Sequence, residues 1–462
     1  VALMGHSRGG EAAATAFLFN GLQYCPDDAA IRFDYHFPIK SVVAIAPADG
    51  QYKPAGQWRI IHDVNYFTIQ GANDADVSSF AGSRQWEHVN FSANGDFFKA
   101  ELYVYRANHG QFNTVWGRTD TGAPANWLLN LRPLLPAAEQ RRIAEIYITA
   151  FLEATLKNRR EYVPLFQDYR RAHDWLPRTL YINRYLDSSH ITVANFNEDS
   201  DLTTTTMPGG HLEGHGLSVW HEGRIPFRRG DRDYNGVFLG WNRHGKQSKT
   251  PTVVPSYSIE LPPGNQWRLS SRSSLVLSTA VSDEEAPLLE NAAHEDNADS
   301  KKAKGKPELT DFTVELATDE GVNVRLPLSR FSPLLPPIEV RFTKLSLLDS
   351  MNYKKASEPI FQTIELPLST FGEQDKRFRA DHLRSILLLF DRTPARVIIL
   401  SEIAFGKSSG AFPVAPSTLQ TRIDSQPQKV VSARKNLANV DSTGKVGIER
   451  LGPSRDRKGA NP

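Results

Sequence analysis

Val1-Ala2-Leu3-Met4-Gly5-His6-Ser7-Arg8-Gly9-Gly10 opens the chain and decides how the first third is read. The apolar run Val1–Met4 makes a short buried strand. A glycine-flanked turn then carries a serine. Glu11–Asn20 is rich in helix formers and stops at Gly21, in the position of a C-terminal cap. Gly-x-Ser-x-Gly between strand and helix is the setting of a nucleophilic serine, because a strained turn lifts the hydroxyl clear of the sheet. The neighbouring positions must then be almost free of side chains, and Gly5, Gly9 and Gly10 meet that need. Ala12, Ala13 and Ala14 let the helix lie close to the sheet, and the backbone N–H of Arg8 points at a developing oxyanion. The plainer alternative is a glycine-rich turn with an incidental serine.

Further strands are expected at Ser41–Ala46, Tyr66–Gln70 and Ala100–Tyr105, each ending at turn-forming residues. Buried strands separated by helical stretches predict an α/β fold, with a parallel sheet covered by helices on both faces. From Pro136 to about Asn158 the residues Ile143, Tyr147, Ala150 and Ala154 share one helical face, which closes a first domain over 1–158. A serine nucleophile needs a base, and the base needs an orienting carboxylate. Past Tyr66–Gln70 stands Gly71-Ala72-Asn73-Asp74-Ala75-Asp76-Val77, and past Ala100–Tyr105 stands Arg106-Ala107-Asn108-His109-Gly110. These turns place an acid and a base in the chain order Ser, acid, His.

After a connector over 159–180 the texture changes to short alternating runs, which predict an all-β sandwich or jelly roll over 181–407. Val322–Leu326 and Ile338–Phe342 show period two, while Ser385–Phe390 and Arg396–Leu400 read as buried strands. Residues 282–307, acidic and then basic with few aromatics, are expected to be a disordered insertion, and 408–462 a disordered tail.

Bulk properties exclude more than they assign. A chain of 462 residues is too long for one ordinary core. With 54 basic and 52 acidic residues, net charge +2, nothing points to nucleic acid. No stretch approaches the roughly 18–20 apolar residues of a membrane span. Cys25, the single cysteine, cannot form an internal disulfide. The opening in a buried strand reads as a fragment that has lost its N-terminus, which leaves localisation undetermined.

Residues 1–157 resemble the second half of an α/β-hydrolase, similar to the dienelactone hydrolase, cutinase-like and platelet-activating-factor acetylhydrolase-like branch. The matching pieces are GHSRGG, GANDADV and ANHGQF. The resemblance implies Ser7 as nucleophile, His109 as base and Asp74 as acid, with Asp76 the runner-up and Asp49 of APADG third. Asp49 and Asp76 otherwise read as solvated turn residues. Strands that precede the nucleophile in that family are missing here, as is the loop carrying the second oxyanion donor. The 462-residue chain alone is therefore expected to be a poor or inactive esterase.

The later region resembles a galactose-binding-like jelly roll of the kind found among carbohydrate-binding modules, on VANFNEDSD and FRADHLRSILLLFDRTPARVIILSEIAF. Ser401-Glu402-Ile403 stands where relatives often carry Asp-Asp-Ile. Trp220, Tyr234 and Trp241 have the chemistry to stack on sugars, but core is the favoured reading. His211, Glu213, His215 and His221 superficially suggest zinc, but the surrounding glycines argue for a flexible loop with surface histidines. Arg224, Arg228 and Arg229 are expected on a solvated face. No motif implies a cofactor or metal. The leading expectation is a serine hydrolase acting on a small-molecule, lipid or polymer ester. The alternatives are a glycan-binding or adhesion module with an inactive hydrolase half, or a related serine peptidase or acyltransferase.

Overall fold

The structure, a computed structural model, describes residues 1–410 apart from 93–94, 173, 244–252, 265–266, 289–308 and 354. The expected tail beyond residue 410 and most of the expected insertion lie outside the described residues.

Five strands make the first sheet: β1 (Ala2–His6), β2 (Ser41–Ile45), β3 (Asn65–Gly71), β4 (Phe98–Val104) and β5 (Tyr181–Asp187). They lie side by side in chain order, with β1 at one edge. The first four are parallel, and β5 returns antiparallel against β4. β5 thus belongs to this sheet, although sequence texture grouped it with the β region. Four helices serve the sheet: α1 (Arg8–Asn20), α2 (Ala81–Glu87), α3 (Ala137–Leu156) and α4 (Val163–Gln167). On one face Ile143, Tyr147 and Phe151 of α3, with Phe166 of α4, pack on Phe67, Ile69, Phe98 and Leu102. On the other face Ala13 of α1 and Trp86 of α2 pack on Val42, Ala44 and Tyr66. Gly21 ends α1 with a right-handed φ of −99°, so its cap does not use the left-handed conformation that favours glycine.

The sandwich has a six-stranded and a five-stranded sheet. Its strands are β6 (Ile191–Ala194), β7 (His211–His215), β8 (Val219–Pro226), β9 (Asp231–Asn242), β10 (Ser256–Glu260) and β11 (Ser273–Val281), then β12 (Thr313–Thr318), β13 (Asn323–Pro327), β14 (Gln362–Pro367), β15 (Leu383–Leu389) and β16 (Ala395–Lys407). One sheet runs β8-β9-β16-β11-β14 with β6 also on β16, and the other runs β7-β10-β15-β12-β13. Every pairing in both is antiparallel. Leu239, Trp241, Leu277 and Leu400 meet Tyr257, Leu316, Ile386 and Leu388 in a shared core.

These sheets correct the expected fold class. Strand accounts for 34% and helix for 22%, two of the three large sheets are wholly antiparallel, and the first has an antiparallel fifth strand. This is not a helix-covered α/β-hydrolase sheet followed by an appended module. The physical reason lies on β5, whose Arg184 side chain bonds Ser278 of β11 and Ser401 of β16, so β-sheet rather than helix covers that part of the first sheet. Val397, Ile398, Ile399 and Leu400 are all fully buried because β16 has core on both sides, which explains its unbroken apolar run. The period-two stretch 338–342 forms no strand; it is a loop that buries Val340 and Phe342.

Candidate functional site

Ser7 follows β1 and precedes α1 with φ 60° and ψ −125°, a conformation that costs a non-glycine residue of order 1–3 kcal/mol. Surrounding backbone holds it there: Ser7 N–H donates to Ile45 O at 2.9 Å, while Ser7 O accepts from Gly10 at 2.9 Å and Ala48 at 3.2 Å. A Cβ on Gly5 would lie 1.8 Å from the Gly9 carbonyl oxygen, and one on Gly10 would lie 2.7 Å from Pro47 Cβ. At Gly9 a Cβ would meet nothing within 4 Å, so Gly9 contributes its backbone position rather than side-chain space. Ser7 is half-buried. Arg8 is the first residue of α1, where an amide has no acceptor within the helix and the helix dipole favours negative charge.

Asp74 follows β3 and is buried. Its Oδ2 lies 2.7 Å from His109 Nδ1 and accepts from Gln70 Nε2 at 2.9 Å. Its Oδ1 accepts from the backbone N–H of Asp76 at 3.0 Å and Val77 at 2.6 Å. Burial pushes the Asp74 carboxyl up to about 6, against the pull of the His109 ring. Burial draws His109 down, but the charge and hydrogen bond of Asp74, with Asp76 and Asp120, carry it above its ordinary value. Buried His109 Nε2 has no hydrogen-bond partner among the described residues, Ser7 included; Asp76 Oδ2 is 3.4 Å away.

The residue before the serine closes the gap between the two turns. The His6 ring lies 4.7 Å from the His109 ring and 4.6 Å from Trp116, and Trp116 stacks on His109 at 5.6 Å, 10° from parallel. Burial, then the charge of His109, lowers His6 to about 4, so it stays neutral beside a protonated His109. Asn113 Nδ2 lies 3.2 Å from His6 Nδ1. From α3, Gln140 Oε1 accepts from Asn108 N–H at 3.0 Å and its Nε2 donates to Asn108 O at 2.7 Å, gripping the peptide just before His109. Sequence reasoning passed over His6, Trp116 and Gln140. A buried glutamine on the apolar side of α3 was the one available signal.

The remaining candidates fall elsewhere. Asp49 is buried between Arg59 and Arg84, 2.7 Å from Arg84 Nε, and makes no bond to His109. It is therefore an ion-pair residue, not a solvated one. Asp76 is 54% exposed. His211, Glu213 and His215 alternate along β7 rather than in a loop, Glu213 and His215 pair at 3.3 Å, and His221 stacks on Phe238 instead. Among the described residues no group of His, Cys, Asp or Glu is placed to hold a metal ion. Trp241 is core at 0% exposure, stacked on Phe390, and Trp220 packs against the same core. Arg224 is exposed and paired with Asp233. Arg228 corrects the solvated-face expectation: it is buried, 3.1 Å from Glu358, and donates to Ser78 O at 2.8 Å. No helix among the described residues is long and apolar enough to cross a membrane.

No family model and no curated protein matches the chain. Solved structures do resemble it in part. An exo-β-agarase is 9% identical over 48% of this chain and 25% of its own, with a TM-score of 0.27. The family 11 carbohydrate-binding module of a cellulosomal cellulase of Clostridium thermocellum is 10% identical over 47% of this chain and 95% of the module, TM-score 0.25. A family 30 module from the same organism is 8% identical over 42% and 94%, TM-score 0.22. The match thus spans a quarter of the agarase. All three TM-scores fall below 0.5. At such scores they say nothing of this chain's activity or ligand.

Proposed function

We propose that the chain is a serine hydrolase that cleaves a carboxylic ester through an acyl-enzyme on Ser7. One observation carries the reading: Asp74 holds His109 by Nδ1 at 2.7 Å, leaving Nε2 without a hydrogen bond among the described residues, on a ring 4.7 Å from that of His6, the residue before the strained Ser7. A neutral imidazole held in this way has its lone pair on Nε2. That nitrogen takes the Ser7 proton as Oγ adds to the ester carbonyl, then returns it to the departing alcohol. Water completes the cycle by the same route, releasing the acid and restoring Ser7. Asp74 keeps the tautomer and stabilises the imidazolium, and Arg8 N–H donates to the oxyanion. A peptidase or acyltransferase would use the same three residues.

Fluorophosphonate treatment of the protein tests this. The expected result is one covalent adduct, mapped by mass spectrometry to Ser7 and lost in Ser7→Ala. An unmodified Ser7 at pH 8 would sink the reading.

A second reading is favoured by the sandwich itself, whose two antiparallel sheets enclose a core separate from the first sheet. Here the sandwich binds a glycan or serves adhesion, and the Ser7 turn is chemically silent. Glycan-array binding that survives Ser7→Ala, with no Ser7 adduct, is the outcome that selects it.

A further inference from the structure

Between Phe112 and Ala125 the chain crosses in front of both catalytic turns, and Asp120 reaches back with each carboxylate oxygen. Its Oδ1 accepts from Gly110 N–H at 2.9 Å and Asn108 Nδ2 at 2.6 Å. Its Oδ2 accepts from His109 N–H at 3.1 Å and Ala75 N–H at 3.0 Å. Three of these donors belong to the turn that carries the base, and the fourth follows Asp74 directly. No other described carboxylate bonds both turns through the backbone.

We propose that Asp120 is a positioning residue that locks the loops of Asp74 and His109 in one register and adds negative charge behind the imidazolium. The inference rests on the serine-hydrolase reading. Charge suits the place: both oxygens act purely as acceptors, so an amide substituted there would aim its NH2 group at N–H donors. The titratable groups facing the His109 ring are Asp74 and Asp76 from the acid turn and His6 from the serine turn, with Asp120 behind its backbone. Asp74, Asp76 and Asp120 each favour the protonated ring, and burial opposes them. Removing the Asp120 charge therefore lowers the His109 midpoint, which extends the neutral, basic form to lower pH. Loosening the two loops acts in the other direction on rate, because the base then spends less time in register.

Two readouts on Asp120→Asn and Asp120→Glu separate this inference from the reading beneath it. Proton NMR of the His109 ring needs no chemistry at Ser7. The expected result is a titration midpoint at lower pH in Asp120→Asn, with loss of the low-field Nδ1 proton, while Asp120→Glu keeps a midpoint near that of the unaltered protein. Fluorophosphonate labelling of Ser7 is expected to slow roughly tenfold to a hundredfold in both variants. A His109 midpoint and Nδ1 proton unchanged in Asp120→Asn overturn the positioning role. An NMR response as expected, in a protein whose Ser7 never labels, supports the positioning role and removes the hydrolase reading.

Discussion

Two of the buried carboxylate–cation pairs on the first sheet are finished differently. Arg184 of β5 meets Glu87 at 2.5 Å, and its other nitrogens reach Ser278 Oγ at 2.8 Å and Ser401 Oγ at 2.9 Å. Its guanidinium also lies 3.6 Å from the Trp86 ring centre. Every direction is used, and the partners come from the first sheet's helix and from the sandwich. Asp74 and His109 are as deeply buried, yet His109 Nε2 makes no hydrogen bond among the described residues and has only the Asp76 carboxylate 3.4 Å away, on a ring 4.7 Å from that of His6, the residue before the strained Ser7. A saturated ion pair joins two layers and does no chemistry. An unsaturated one keeps a proton acceptor in reserve, and on the proposed hydrolase reading that end of the sheet is the reactive one.

Four changes would break or sharpen this contrast. The largest effect is expected for Asp74→Asn, which leaves the geometry but removes the charge and the tautomer control. Labelling of Ser7 should fall by about 10⁴-fold, measured as the rate of fluorophosphonate adduct formation, with little change in the unfolding midpoint. Next comes Arg184→Ala, which strands the Glu87 carboxylate in the interior. It is expected to cost about 3–5 kcal/mol in denaturant unfolding, while pairing it with Glu87→Gln recovers much of that loss. A loss no larger than that of an exposed pair would erase the distinction between the regions.

Ser7→Gly should move the two properties apart. Removing the side chain at φ 60° relieves strain worth about 1 kcal/mol and abolishes labelling, so a variant that is both inactive and more stable is expected from unfolding curves. The smallest effect is electrostatic. Since His109 sits above its ordinary value, and the base must be neutral, labelling should rise with pH through a midpoint above 6.5. Asp76→Asn removes one carboxylate that favours the protonated ring, so the same limb should move to lower pH. A limb displaced upward would contradict the sign.

The legible parts of the site were those whose function depends on near neighbours. Gly5, Ser7 and Gly10 form a turn whose constraints act within a few residues, and Asp74 and His109 follow directly on strands. Asp120 was not legible, because a loop aspartate has no sequence mark of the four donors it collects. Arg184 was equally silent, with partners 97, 94 and 217 residues away. Arg228 read as a surface cation for the same reason, since Glu358 lies 130 residues on. The stretch 338–342 misled in the opposite way: alternation reports that Val340 and Phe342 turn inward, which a loop achieves as well as a strand.

By itself the sequence determined the strand–turn–helix around Ser7, the succession of parallel strands and the antiparallel character of the later region. Each depends on backbone preferences and apolar spacing that act over a few residues. Only the tertiary structure decided that β5 closes the first sheet, that a sandwich sheet covers its exposed part, and how Asp74, Asp76 and Asp49 divide, the first bonding His109 Nδ1, the second standing off Nε2 and the third pairing with arginines. Those outcomes depend on desolvating charges that are distant in the chain. The cost of burying Arg184, Asp49 or Asp74 is met only when a particular partner arrives, and local sequence does not encode which partner that is.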